Sequence, residues 1–391
     1  MITVEDARAL LFGLASPLEA ETVPLRQAAG RVLAREAVAK RDQPPFDASS
    51  MDGYAVQSAE VEKDAMFRVI GEAAAGHRFE GRVGAGEAVR IFTGAPVPQG
   101  AGTVVIQEDV RRDGNLITIS ADWDGKDNIR AQGGDFAVGE TVAAPRLLRA
   151  QDIALLAAMN VDRVEVFRRP VVALISTGDE LVFPGADPGP DQIVASNTYG
   201  LDAMLTAEGA DVRVLPIARD SEASLQTVLD LALESADLVV TIGGASVGDH
   251  DLVGKVAAGM GLERAFYKIA MRPGKPLMAG RLGNAAMVGL PGNPVSAMVC
   301  GKLFLEPMIH LFTGRGAAAP DLRPARLGES VGPNGPREHY MRAVVQDGVI
   351  TAFENQDSAV LTLLAEANAL LMRPPHDPAR KAGDEALYLP F

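Results

Sequence analysis

The sequence predicts a multidomain α/β-plus-β protein, with a central parallel-sheet α/β domain, a β domain before it and a small barrel-like β domain after it. Three observations carry this. Between residues 170 and 316, near-continuous apolar runs alternate with helical patterns, as strands of a parallel sheet covered on both faces do. Between 45 and 140, short β-type runs alternate with Gly, Asp and Asn turns. The last stretch, 317–391, also reads as short strands and turns.

A chain of 391 residues is too long for one ordinary domain. At 47% hydrophobic and 23% charged, its composition is that of a soluble globular protein. One cysteine, Cys300, excludes a disulfide framework or a thiolate cluster and points to a reducing compartment. The five histidines show no zinc-ligand spacing. A net charge of −14 argues against nucleic acid and membrane surfaces, which demand a basic face, while leaving room for a local anion pocket. No run of roughly eighteen apolar residues is evident, so no membrane span is expected. The acidic start, Met1 to Asp6, lacks the features of a signal peptide, and the cytoplasm is the expected location.

Taken in order, Thr3 and Asp6 mark a helix start, and Ala7, Leu10, Leu11 and Leu14 continue a helical stripe. A second helix is expected at 25–35. Pro44 and Pro45 then impose an irregular segment. Strands are expected at 67–70, 88–92, 103–107 and 116–119, a helix at 150–159 and a strand at 164–166. In the central domain, strands are expected at 171–175, 212–217 and 238–242, with helices at 198–208 and 222–234. Parallel connections between them should be right-handed.

Ligands of such sheets bind beyond the carboxyl ends of the strands. Acids follow three of those ends: Asp179 and Glu180, then Asp220, then Asp249 and Asp251. Singly each reads as a helix cap; together Glu180, Asp220 and Asp251 suit a hard divalent cation such as magnesium. Gly243, Gly244, Ala245, Ser246, Val247 and Gly248 form a glycine-rich loop that could bring backbone N–H groups to a phosphate. An ordinary tight turn would look the same, and the loop matches neither a dinucleotide fingerprint nor a P-loop. In Pro291-Gly292-Asn293-Pro294, Asn293 suits a helix N-cap and Pro294 the first turn, aiming a positive helix end at the cleft. Cys300 falls inside that helix as a core residue. Lys268, Arg272 and Lys275 are three cations within eight positions, read as anion capture over a solvated face. In the β domain, Asp47, Asp52, Thr93, Arg130 and Asp135 read individually as turn residues.

These segments closely resemble the molybdopterin molybdenumtransferases, that is, the bacterial MoeA proteins and the E domain of gephyrin. The matches run in family order: Pro45-Phe46-Asp47 with Ser50 to Val56, Thr93 to Pro98, Asn128-Ile129-Arg130 with Gly134-Asp135, Ser176 to Leu181, Gly243 to Gly248, Arg272 to Pro276 and Gly289 to Pro294. Three segments depart from the family pattern. Arg272 stands where Lys is common, Asp249-His250-Asp251-Leu252 replaces Glu-x-Asp-Tyr, and Ala359 replaces a Gly.

The resemblance implies insertion of molybdenum from molybdate into adenylylated molybdopterin, with magnesium-dependent hydrolysis and release of AMP. It implies an elongated homodimer with the site at the subunit interface, and makes other cofactor-biosynthesis proteins and apo-molybdoenzymes candidate partners. Residues 1–44 and 141–169 would form the dimerisation domain, 45–140 the small β domain, 170–316 the molybdopterin-binding domain and 317–391 the C-terminal domain. Carried over by motif, Asp52 and Thr93 would line the site from the partner subunit, supported by Arg130 and Asp135. Glu180, Asp220 and Asp251 would hold magnesium or orient water. Lys268, Arg272 and Lys275 would bind phosphate or molybdate, the glycine loop and Pro291 to Pro294 would cradle the cofactor, and Arg342 and Ser358 would reach the same cleft. The alternatives are a molybdopterin adenylyltransferase or related nucleotide hydrolase on the same α/β domain, or a non-catalytic scaffold.

Overall fold

A computed structural model describes residues 1–244, 252–316 and 319–391. The central sheet runs in the order Asp211–Val214, Val171–Ser176, Leu238–Ile242, Ala285–Leu290, Met278–Leu282, Glu263–Tyr267. Its first four strands are parallel, as expected. An antiparallel ribbon, Met278–Leu282 and Glu263–Tyr267, extends that edge. Both faces are covered. Val172 and Leu174 point to one core with the helices Asn197–Ala207 and Pro294–Cys300; Ala173 and Ile175 point to the other with Glu222–Leu233 and Leu252–Gly259. That is why these strands read as unbroken apolar runs.

Helix Pro294–Cys300 continues through a π turn, Gly301–Leu305, into Glu306–Phe312. The combined helix, Pro294–Phe312, has 19 residues and is long and apolar enough to cross a membrane by length and composition, although Lys302, Glu306 and His310 interrupt its apolar run. Its apolarity has a core explanation: 67% of it is buried, packed against the central sheet. Cys300 is fully buried within it, and burial pushes its thiol pKa up, in keeping with a core residue.

The first helix, Val4–Phe12, has the expected start: Thr3 Oγ1 accepts from the Asp6 amide at 3.0 Å, while the Thr3 amide donates to Asp6 Oδ2 at 3.3 Å. Val4, Ala7 and Leu11 pack into the central core, whereas Leu10 is exposed. The helix therefore sits with the α/β layer, because its apolar stripe finds a partner there.

The helix expected at 25–35 does not form. Leu25–Gln27 is a single 3-10 turn, Gly30 takes φ +75°, and Val32–Leu33 is a strand. That strand pairs with Arg146–Leu147 and beside Arg163–Phe167, which in turn pairs with Ala20–Pro24. Burial of Leu25, Ala28 and Leu33 against Leu156 and Val166 overrides the helical spacing. The helix expected nearby forms as Ala150–Ala158.

The small β domain is one six-stranded sheet, ordered Thr103–Ile106, Gly53–Val56, Glu87–Ile91, Met66–Ala73, Leu116–Ile119, Val110–Asp113. Tyr54 and Val56 face one small core and Ala55 the other, the period-two alternation of a sheet packed on both sides. A separate ribbon pairs Ile129–Arg130 with Ala48–Ser49. In the C-terminal domain, the strands Glu338–Gln346, Val349–Ala352, Arg323–Leu327, Glu385–Pro390 and Ala369–Arg373 close into a barrel through a direct pairing of the first with the last. Met271–Arg272 adds to this barrel in parallel with Glu338 and His339, so the cation loop of the central domain is stitched to the last domain.

Candidate functional site

A cavity of about 650 Å³ opens at the carboxyl ends of the parallel strands, where ligands of such sheets bind. Its floor is Ser176 and Thr177 from one strand end and Ile242, Gly243 and Gly244 from the next; Pro291, Gly292, Asn293 and Pro294 form one wall. Gly243 and Gly244 have φ of +93° and +63°. A Cβ on Gly244 would lie 2.8 Å from Thr177 Oγ1 and 2.6 Å from Val253 Cγ2, so close packing as well as conformation demands glycine there. Opposite stands a two-stranded flap, Leu181–Val182 paired with Ile193–Val194, which contributes Leu181, Ile193 and Val194.

Asn293 occupies the N-cap position of the helix, yet its side chain does not cap it. Its Nδ2 donates instead to Ser358 Oγ at 2.9 Å, and the Val295 amide donates to the Ser358 carbonyl at 3.1 Å. The helix start is thus occupied by a loop of the C-terminal domain, whose Ala359 lines the cavity. Gly292 is held from the other side by Asn197 Nδ2, 2.7 Å from its carbonyl.

Arg342 does not reach the cleft as expected. It is 1% exposed, its Nη1 donates to Val360 O, and its Nη2 donates to the carbonyls of Asn355 and Asp357. It fastens the loop that carries Ser358 and Ala359: Met341, Ala343 and Val345 fill the barrel, so Arg342 points out of it, and the guanidinium buried beneath that loop is satisfied by its carbonyls. Its remaining Nε has no hydrogen-bond partner among the described residues.

Of the expected metal ligands, Glu180 lines the cavity and folds over Gly178, where an added Cβ would be 2.3 Å from its carboxylate. Asp220 does not line it. Asp220 and Asp179 clasp each other's backbone instead: the Asp179 amide donates to Asp220 Oδ2 at 3.3 Å and the Asp220 amide to Asp179 Oδ1 at 3.1 Å. Neither caps the following helix; Ser221 does. Asp249 and Asp251, together with Ser246 and Gly248, lie outside the described residues. Glu180 and Asp220 offer exposed oxygens at adjacent strand ends, a donor type that fits a hard divalent cation.

Among the described residues, the three-ligand group that does converge lies elsewhere: Glu208, Glu306 and His310, with ligand atoms within 4.8 Å of one another. Cations already occupy it. His310 Nε2 and Arg315 Nη1 meet Glu208 Oε2 at 2.7 and 2.8 Å, and Lys302 Nζ donates to Glu306 Oε1 at 2.9 Å. The Glu208 carboxyl is held down to about 2, first by its hydrogen bond to His310. This is an ion cluster joining two helices.

Lys268, Arg272 and Lys275 do not line the cavity; of their loop, Pro276 does. Gly274, at φ +104°, lets that loop lie on the helix, its would-be Cβ only 2.5 Å from Cys300 Sγ. Lys268 Nζ sits 4.9 Å from the Tyr267 ring centroid. Arg272, exposed, helps push the neighbouring buried His339 down to about 4, burial being the larger cause and Arg373 and Arg337 adding to it.

In the β domain, the Thr93 amide and Oγ1 both donate to Asp52 Oδ1, each at 2.8 Å. Those bonds, the backbone one foremost, hold the Asp52 carboxyl below its ordinary value. Arg130 and Asp135 are exposed on the adjoining ribbon and turn. None of these four residues lines the central cavity of the same chain. Sequence reasoning missed Asn197, Thr177 and the flap. The polar run Ser196-Asn197-Thr198 at a helix start was the available signal for the first; nothing local marked the flap.

Fold and cavity together define a multidomain enzyme that binds a small molecule at the carboxyl edge of an α/β sheet. Residues 2–160 match the MoeA N-terminal region (domain I and II), 173–311 a probable molybdopterin binding domain, and 324–391 the MoeA C-terminal region (domain IV). A molybdopterin molybdenumtransferase of Nostoc sp. is 34% identical, covering 100% of this chain and 94% of the relative. Molybdopterin molybdenumtransferase 2 of Mycobacterium tuberculosis is 36% identical, covering 90% of each. The crystal structure of a molybdopterin biosynthesis MoeA protein from Pyrococcus horikoshii superposes with a TM-score of 0.88 at 29% identity, over 100% of this chain and 99% of that one. The chain belongs to the MoeA family of molybdopterin molybdenumtransferases, enzymes of molybdenum-cofactor biosynthesis.

Proposed function

We propose that this enzyme inserts molybdenum from molybdate into adenylylated molybdopterin, hydrolysing the phosphoanhydride and releasing AMP. The observation that carries this reading is the cavity, walled by Gly243, Gly244 and the Pro291 to Pro294 loop, with Glu180 at its rim. Hydrolysis between two anionic groups requires charge neutralisation and a positioned water. Glu180 and Asp220, joined by Asp251, would hold magnesium, which supplies neutralisation at the anhydride. The glycines and the Pro291 to Pro294 loop cradle the cofactor, and Lys268, Arg272 and Lys275 draw phosphate or molybdate toward it. Since the cofactor brings its own dithiolene, the protein needs no thiolate, in line with its single buried cysteine.

The Asp52–Thr93 wall belongs, on this reading, to the site of a second copy. A homodimer held through 141–169 and the part of 1–44 that follows the helix Val4–Phe12, which packs on the central domain, would bring Asp52, Thr93, Arg130 and Asp135 of one protomer opposite the cavity of its partner. The cytoplasm suits such an enzyme, which would pass its product to apo-molybdoenzymes. Reconstitution tests the proposal: purified protein with molybdate, magnesium and adenylylated molybdopterin should release AMP and yield active cofactor. Pyrophosphate release from ATP and molybdopterin, without metal insertion, would sink it in favour of an adenylyltransferase.

A further inference from the structure

We infer that Arg90, which no motif singles out, is the positioning residue of the Asp52–Thr93 pair. The inference rests on the reading that this pair serves the reaction. Arg90 lies on the strand Glu87–Ile91, three residues before Thr93, and faces Tyr54 across the antiparallel register. Its Nη1 donates to the Gly53 carbonyl at 3.0 Å, immediately after Asp52. Its Nη2 donates to Gln107 Oε1 at 2.6 Å. The Gln107 amide in turn donates to the Asp52 carbonyl at 3.0 Å.

The guanidinium also lies 4.7 Å from the Phe92 ring centroid and 5.1 Å from that of Tyr54. Arg90 therefore ties together three segments: the one carrying Asp52, the one ending in Thr93, and the turn at Gln107. Asp52 itself receives two bonds from Thr93 and one on its backbone from Gln107, so the geometry of the pair depends on how those segments sit. A planar fork with two donor directions and a stacking face does this; a lysine supplies one point charge and no fork. The Arg90 charge also adds to the hydrogen bonds from Thr93 in keeping Asp52 ionised.

Arg90 makes no claim on substrate. Its effect should travel through Asp52 and Thr93, and hydrogen exchange at the Thr93 amide reads that directly. In the full-length protein, Arg90→Gln should accelerate exchange of peptides containing Thr93 by about tenfold or more, while peptides over the central strand Leu238–Ile242 keep wild-type protection. Arg90→Lys should fall between the two. Cofactor formation by Arg90→Gln should drop about ten- to a hundredfold, with little further loss when Asp52→Asn is added. Should Arg90→Gln fold poorly, Gln107→Met releases the other end of the same fork and should accelerate Thr93 exchange less strongly.

Unchanged Thr93 exchange in both variants would overturn the inference, as would losses of Arg90→Gln and Asp52→Asn that simply multiply. Full activity of Asp52→Asn alone would overturn the functional reading instead, and Thr93 exchange would still decide the role of Arg90.

Discussion

The cavity of the central domain and the acid patch of the β domain are built from different materials. The cavity is shaped largely by backbone: two glycines at positive φ, a Pro-Gly-Asn-Pro loop, and a helix start occupied by the Ser358 carbonyl. The patch is shaped by side chains, with Asp52 held by Thr93 and cross-tied through Gln107 and Arg90. A backbone surface is suited to cradling a large anionic ligand, since N–H groups and close approach do the binding. A carboxylate whose bonds come from a threonine is suited to chemistry at one point, since its charge and direction are both set. On the proposed reading, the difference is a division of labour, with binding on one chain and part of the chemistry on its partner.

Four experiments would break or sharpen that contrast. The largest effect is expected for Glu180→Ala, which should lower AMP release by about a hundred- to a thousandfold. Its melting temperature should stay near wild type, because the exposed Glu180 side chain makes no hydrogen bond among the described residues. A large drop in melting temperature would make Glu180 structural instead. Next, Asp52→Ala and Glu180→Ala protomers, each inactive alone, should regain about a quarter of wild-type activity when randomly mixed, since half of the dimers then contain one intact composite site. No recovery would place both groups in the same subunit's site and end the division proposed above.

A third test concerns Arg342, buried between the barrel wall and the loop that carries Ser358. Arg342→Met leaves three turn carbonyls without their donor and should destabilise the fold by about 3 kcal/mol, seen by denaturant unfolding. Unaltered stability with weakened molybdate binding would return it to the cleft. The smallest effect is one of pH. His339 titrates near 4 in the fold against an ordinary 6.5, so the unfolded chain takes up the proton first. Its contribution is full above about pH 6.5 and is lost as pH falls toward 4, amounting to about 2 kcal/mol after solvent screening. His339→Gln should flatten that acid limb; an unchanged slope between pH 6.5 and 4 would remove His339 as its source.

Much of the architecture was legible locally. The capping pair Thr3 and Asp6, the apolar strands from Val171 and Leu238, and the β run Thr103–Ile106 each state their structure within a few residues. The failures share a cause. The spacing at 25–35 is helical, but Val32 and Leu33 are claimed by strands more than a hundred residues away in sequence. Asn293 is a good N-cap by type, but Ser358 takes its side chain.

Sequence by itself determined which segments carry acids, glycines and cations, because periodicity, capping and turn chemistry are short-range properties. Tertiary structure alone decided that Arg342 fastens a loop, that Asp220 clasps Asp179, and that Pro276 rather than its neighbouring cations lines the cavity. Hydrogen-bond partners and burial depend on what the rest of the chain brings alongside, and no local pattern encodes that.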